Sequence, residues 1–96
     1  MSSRSVPLYT IGVVTQLTGV AQTTLRLYEN HGLVAPARTE GGTRRYSDDD
    51  VATIRIVAEL HVKGVNLVGI AHVLELRTIN DELRRRLAEN SSPDER

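Results

Sequence analysis

The 96-residue chain contains no cysteine, no phenylalanine and no tryptophan. Without cysteine it has no means of forming a disulfide, a thiolate metal site or a cysteine nucleophile. Its aromatic residues are three tyrosines, too few for the stacking platforms that read single-stranded nucleic acid. No apolar run approaches the ~20 residues that a spanning helix needs. Met1 to Pro7 also lack the apolar core of a signal peptide, so a cytoplasmic location is expected. No serine or threonine stands in a nucleophile-elbow or phosphate-cradling context. His31 precedes a helix stop, and His61 and His72 fall on different predicted helices with no evident carboxylate partner. The expectation is therefore no catalytic site, no metal, no cofactor and no enzyme.

What remains is ordinary for one small globular domain: 40% apolar and 25% charged residues, with a core drawn from Val, Ile and Leu. The formal net charge is zero, but the signs are segregated. Residues 1–46 carry Arg4, Arg26, Arg38, Arg44 and Arg45 against Glu29 and Glu40, leaving +3, and residues 47–96 carry seven basic against ten acidic groups, leaving −3. Asymmetry of this kind, hidden by the total, points to a phosphate-binding face in the first half.

The pattern along the chain is mostly helical. Thr10 can cap a first short helix with Val13, Val14 and Leu17 as its apolar face, and Gly19 suits the left-handed position that ends it. A second helix runs from Gln22 to about His31 and stops at Gly32. Leu25 and Tyr28 share its packing face, while Gln22, Thr23, Arg26 and Asn30 lie on the polar one. Its start is weak, because Ala21 stands where a capping Asn or Ser is expected, a deficit of about 1 kcal/mol. Two short helices around a glycine turn form a helix-turn-helix pattern.

Leu33-Val34-Ala35 reads as a short strand. Arg38 to Tyr46 reads as two strands around Gly41-Gly42, a basic hairpin or wing. Ser47 and Asp50 form a capping box for a third helix, and the carboxylates of Asp48, Asp49 and Asp50 suit its positive end rather than a metal. Val51, Ile54, Val57 and Ala58 supply its buried stripe. Lys63-Gly64 ends it and Asn66 caps the next, where Leu67, Ile70, Val73 and Leu74 repeat at helical spacing. Its continuation carries Leu76, Ile79, Leu83 and Leu87, which resemble a coiled-coil seam barely two heptads long. A helix of that length is marginal alone in water and needs a partner. Arg84-Arg85-Arg86 opposite Asp81 and Glu82 reads as a solvated face.

Taken together, Leu25-Arg26-Leu27-Tyr28-Glu29, Gly32-Leu33-Val34-Ala35-Pro36-Ala37-Arg38 and Gly42-Thr43-Arg44-Arg45-Tyr46-Ser47 with Asp50-Val51 resemble the MerR family of bacterial transcription regulators. The resemblance covers roughly residues 8–87. The segment Gly64-Val65-Asn66-Leu67-Val68-Gly69-Ile70, with Leu74-Glu75-Leu76, is similar to the heat-shock-repressor branch. The implied fold is mainly α: a winged helix-turn-helix over 8–76, a dimerisation helix over 77–90, a flexible 1–7 and a disordered 91–96.

The resemblance implies a homodimer that binds double-stranded DNA at a pseudo-palindromic operator and distorts it, in the bacterial nucleoid, with a chaperone as possible co-repressor. Gln22, Thr23, Thr24, Arg26 and Tyr28 would read DNA from the second helix, and Arg38, Thr43, Arg44, Arg45 and Tyr46 from the wing. Leu76, Ile79, Leu83 and Leu87 would make the dimer. Whether Arg26 meets a base or a phosphate stays open. So does the choice for Tyr28 between a hydroxyl on phosphate and pure core packing. Arg44 and Arg45 alternate faces, so one can touch the DNA backbone while the other packs or pairs.

Metal- and redox-sensing members hold their signal at cysteines, and drug-sensing members carry a ligand domain where this chain has only a polar tail after Leu87. The signal is expected through another protein or through the dimer helix. Two other readings are compatible with the same residues. One is an architectural or recombination-type winged helix that bends DNA. The other is a protein-interaction module using the 66–87 helices.

Overall fold

The computed structural model describes residues 3–90, in the order of two short helices, a two-stranded hairpin and two longer helices. Helix α1 (Ile11–Thr18) starts where the Thr10 hydroxyl accepts from Val13 N–H, and ends at Gly19. Helix α2 (Gln22–Asn30) has no side-chain cap at Ala21, as expected, and is stopped at Gly32, whose φ of 75° is costly for any residue with a Cβ.

Strands β1 (Ala37–Arg38) and β2 (Arg44–Arg45) are antiparallel, with Ala37 opposite Arg45 and Arg38 opposite Arg44. Gly42 N–H bonds Thr39 C=O at 2.9 Å, and Gly42 then takes a φ of 85° that reverses the chain. A three-residue loop of this kind needs glycine at its last position. The segment Leu33-Val34-Ala35 is not a strand: Leu33 and Val34 are irregular and plug the core with about 5% exposure each. The hairpin instead gains an edge that the sequence did not announce. Tyr9 bridges Tyr46, with Tyr46 N–H donating to Tyr9 C=O at 2.8 Å and Tyr9 N–H to Tyr46 C=O at 2.9 Å.

Helix α3 (Asp48–Val62) has the expected capping box, in which Ser47 Oγ accepts from Asp50 N–H and Asp50 Oδ2 accepts from Ser47 N–H. Helix α4 (Leu67–Asn90) begins where Asn66 Oδ1 accepts from Gly69 N–H at 2.7 Å, and it runs without a break past residue 76. Ser3–Ser5 form a turn of 3-10 helix that contacts α3, and Arg4 pairs with Asp49 at 3.0 Å. A basic side chain of the segment expected to be flexible, 1–7, thus meets the aspartate-rich helix start. The expected disordered tail, 91–96, lies outside the described residues.

The core joins α1, α2, the segments that follow α2 and β2, α3 and the start of α4: Val14, Leu25, Tyr28, Leu33, Val34, Tyr46, Val51, Ile54, Val57 and Ile70. In α1 the buried residue is Val14, whereas Val13 and Leu17 are 38% and 44% exposed, so the expected apolar face is only partly the packing face. Arg55 ties the same helix down from α3, donating to the Leu17 carbonyl at 3.0 Å. Among the described residues no helix is long and apolar enough to cross a membrane.

Candidate nucleic-acid interface

The second helix presents the side chains that its periodicity assigns to solvent. Leu25 and Tyr28 are buried, and turning away from them leaves Gln22, Thr23 and Arg26 exposed and Thr24 half-buried. Packing of Leu25 and Tyr28 on the core fixes the rotation of α2, so the polar face cannot turn inward. Arg26 has no ion-pair partner among the described residues, which leaves its five donors available to a phosphate or a guanine edge.

The wing arginines divide by strand alternation. Arg38 and Arg44 are cross-strand neighbours and point to one side. Both reach Glu29 in the last turn of α2: Arg44 Nε donates to Oε1 at 2.5 Å, and Arg38 Nη2 to Oε2 at 3.0 Å. Arg38 Nη1 also donates to the Gly42 carbonyl at the wing tip, 3.0 Å away. Partial burial by itself would raise the Glu29 carboxyl, but the Arg44 hydrogen bond and the charges of Arg44 and Arg38 outweigh it and hold the group below the usual carboxylate value. Arg45, half-buried on the other side of the strand, has no ion-pair partner among the described residues, and Thr43, just before the strand, is exposed.

Two tyrosines expected to contact DNA are buried. Tyr46 is fully buried, with a hydroxyl that has no hydrogen-bond partner among the described residues, and burial pushes that hydroxyl's pKa up. Its ring belongs to the core rather than to the exposed surface of the wing. Tyr28 is 2% exposed; its hydroxyl lies 3.0 Å from His61 Nδ1, and the two rings meet edge to face. Of the two roles left open for Tyr28, the geometry supports packing. The four seam residues of α4 stand apart from this unit, with Leu76, Ile79, Leu83 and Leu87 between 47% and 65% exposed.

The region 9–77, which holds both helices, the hairpin, α3 and the first part of α4, matches the MerR helix-turn-helix regulatory proteins. The chain belongs to the MerR family. Among MerR relatives, the heat shock protein HspR of Streptomyces coelicolor is 45% identical over 84 residues, covering 86% of this chain and 56% of that protein. The transcriptional regulator GlnR of Bacillus cereus is 40% identical over 74 residues, covering 77% and 57%. This chain thus spans little more than half the length of the curated relatives it matches. HiNmlR, a MerR regulator lacking the sensor domain and solved bound to promoter DNA, superposes with a TM-score of 0.70 at 32% identity, covering 85% of this chain and 65% of that one.

Three residues of the MerR unit escaped the sequence reading. Glu29 closes the Leu25-Arg26-Leu27-Tyr28-Glu29 motif and is one of two acids in a basic half, but neither signal pairs it with Arg38 and Arg44. Tyr9 and His61 carried none, because their partners, Tyr46 and Asp48 for the first and Tyr28 for the second, are distant in sequence.

Proposed function

We propose that the chain is a DNA-binding transcription regulator that acts as a two-fold dimer, represses, and distorts a pseudo-palindromic operator. The observation that carries this reading is the coupling of the exposed Gln22–Arg26 face to the wing through Glu29, which makes helix and hairpin one surface. Gln22, Thr23, Thr24 and Arg26 enter the major groove, and Thr43 and Arg45 meet the flanking backbone. Resemblance to the heat-shock repressors supports repression and a chaperone-type co-repressor in the bacterial cytoplasm.

The dimer is built on α4. Its exposed seam is self-complementary when two helices run antiparallel: Leu76 then faces Leu87 of the partner subunit, and Ile79 faces Leu83 of the partner subunit. Each side chain so covered contributes up to about 1.5–3 kcal/mol, which offsets the cost of ordering the helix end. A two-fold dimer dictates a two-fold site, with half-sites separated as the recognition helices are.

The test is selection of duplexes from a randomised pool by the purified chain, with stoichiometry measured on the product. The expected result is an inverted repeat bound by two chains. Recovery of a single unrepeated site with one chain bound would refute the dimer reading, and no enrichment at all would refute sequence-specific binding.

A further inference from the structure

Arg38 and Arg44 stand directly opposite each other on one side of a ladder only two residues long. Like charges so placed repel, and a hairpin this short is marginal on its own. The Glu29 carboxylate reverses that repulsion by accepting one arginine at each oxygen. Its own position is fixed, since the adjacent Tyr28 is buried and bonded to His61. The Glu29 side chain is only 17% exposed. One unbroken series of bonds therefore runs from the core, through the last turn of α2, to both wing strands and, by way of Arg38, to the Gly42 carbonyl at the tip.

We infer that Glu29 is a positioning residue for DNA recognition: it acts through Arg38 and Arg44 to hold the wing at a set distance and angle from the recognition helix. Arg26 and Arg45 then meet one duplex together. The inference rests on the DNA-binding reading above. It has an unusual sign. A carboxylate in the basic half opposes the approach of phosphates, so removing it should tighten binding if it does nothing else. The neutral variant would also release two arginines to the phosphates. Positioning predicts the reverse, because a wing that swings must be ordered during binding, and that ordering subtracts from affinity.

The experiment uses the full chain and the duplex recovered by selection, with a scrambled duplex of equal length as control, in fluorescence anisotropy over a salt series. The proteins are wild type, Glu29→Gln, the pair Arg38→Gln and Arg44→Gln, and the triple variant. Glu29→Gln should bind the selected duplex about tenfold more weakly, and in the background lacking both arginines the same change should alter affinity by less than about twofold. Equal or tighter binding by Glu29→Gln overturns the inference, as do losses that simply multiply in the triple variant. Amide spectra of the free protein give a readout that needs no DNA: in Glu29→Gln the resonances of 37–45 should shift and broaden while those of 48–62 stay, and an unmoved wing overturns the proposal. If the wild-type chain itself shows no salt-dependent affinity for either duplex, the DNA reading falls and this inference falls with it.

Discussion

The helix–wing unit and the distal half of α4 are built on opposite terms. Residues 8–62 close on themselves: Tyr9 bridges Tyr46, Glu29 gathers two wing arginines, Tyr28 meets His61, and α1 to α3 share one core. From Leu76 onward α4 makes no contribution to that core, and its apolar residues face outward. The contrast separates two sources of order. In the first region each element is held by residues far away in sequence, so the reading surface is set before any ligand arrives. In the second, helix is specified by local pattern and by Glu82 pairing with Arg85 and Arg86 one turn on, worth only a few tenths of a kcal/mol per pair. In the proposed dimer a second subunit covers this face.

The largest effect is expected from opening the core of the helix–wing unit. Ile54→Ala, at a fully buried site, should cost about 2–5 kcal/mol and shift the whole melting curve downward. Retention of the wild-type melting temperature would show that the core does not organise the unit. Next in size is Leu83→Glu on the seam, which should convert dimer to monomer in sedimentation velocity while 48–62 keeps its helical amide shifts. A variant that remains dimeric would place the interface elsewhere.

A smaller effect tests the Glu29 cluster through pH. Because its carboxyl is held below the ordinary 4.5 in the folded chain, the unfolded chain takes up the proton first as pH falls. The stabilisation is thus complete above about 4.5 and is lost as pH drops through the folded-state value. Urea midpoints taken between pH 7 and 3 should show a downward component in wild type that is absent in Glu29→Gln. Parallel curves for the two proteins would argue that the carboxylate is not specially held.

Most elements were legible because their signals are local. Thr10, Ser47 with Asp50, and Asn66 cap the helices they were expected to cap, and Gly19 and Gly32 end theirs at φ of 76° and 75°. The polar face of α2 followed from the burial of Leu25 and Tyr28 at helical spacing. The misreadings share a cause. Leu33-Val34-Ala35 has strand composition, but the strand position beside the hairpin is taken by Tyr9, and no local pattern records which segment wins. Tyr46 follows the wing arginines in sequence and reads as part of the wing, whereas its full burial is a matter of tertiary packing. In the candidate site, both arginine strands were visible, while the division of labour was not: which cations are spent on Glu29 is a question of tertiary distance.

In the proposed function α2 and the wing grip DNA as one surface, on which Arg26 and Arg45 are the cations with no ion-pair partner among the described residues. Anisotropy titrations of the selected duplex by wild type, Arg26→Ala and Arg45→Ala, each over a salt series, test it most directly. Arg26→Ala should lose about 1–3 kcal/mol of discrimination against the scrambled duplex if it reads a base. Arg45→Ala should weaken both duplexes alike and reduce the salt slope by about 1. Wild-type affinity and slope in both variants would contradict the account.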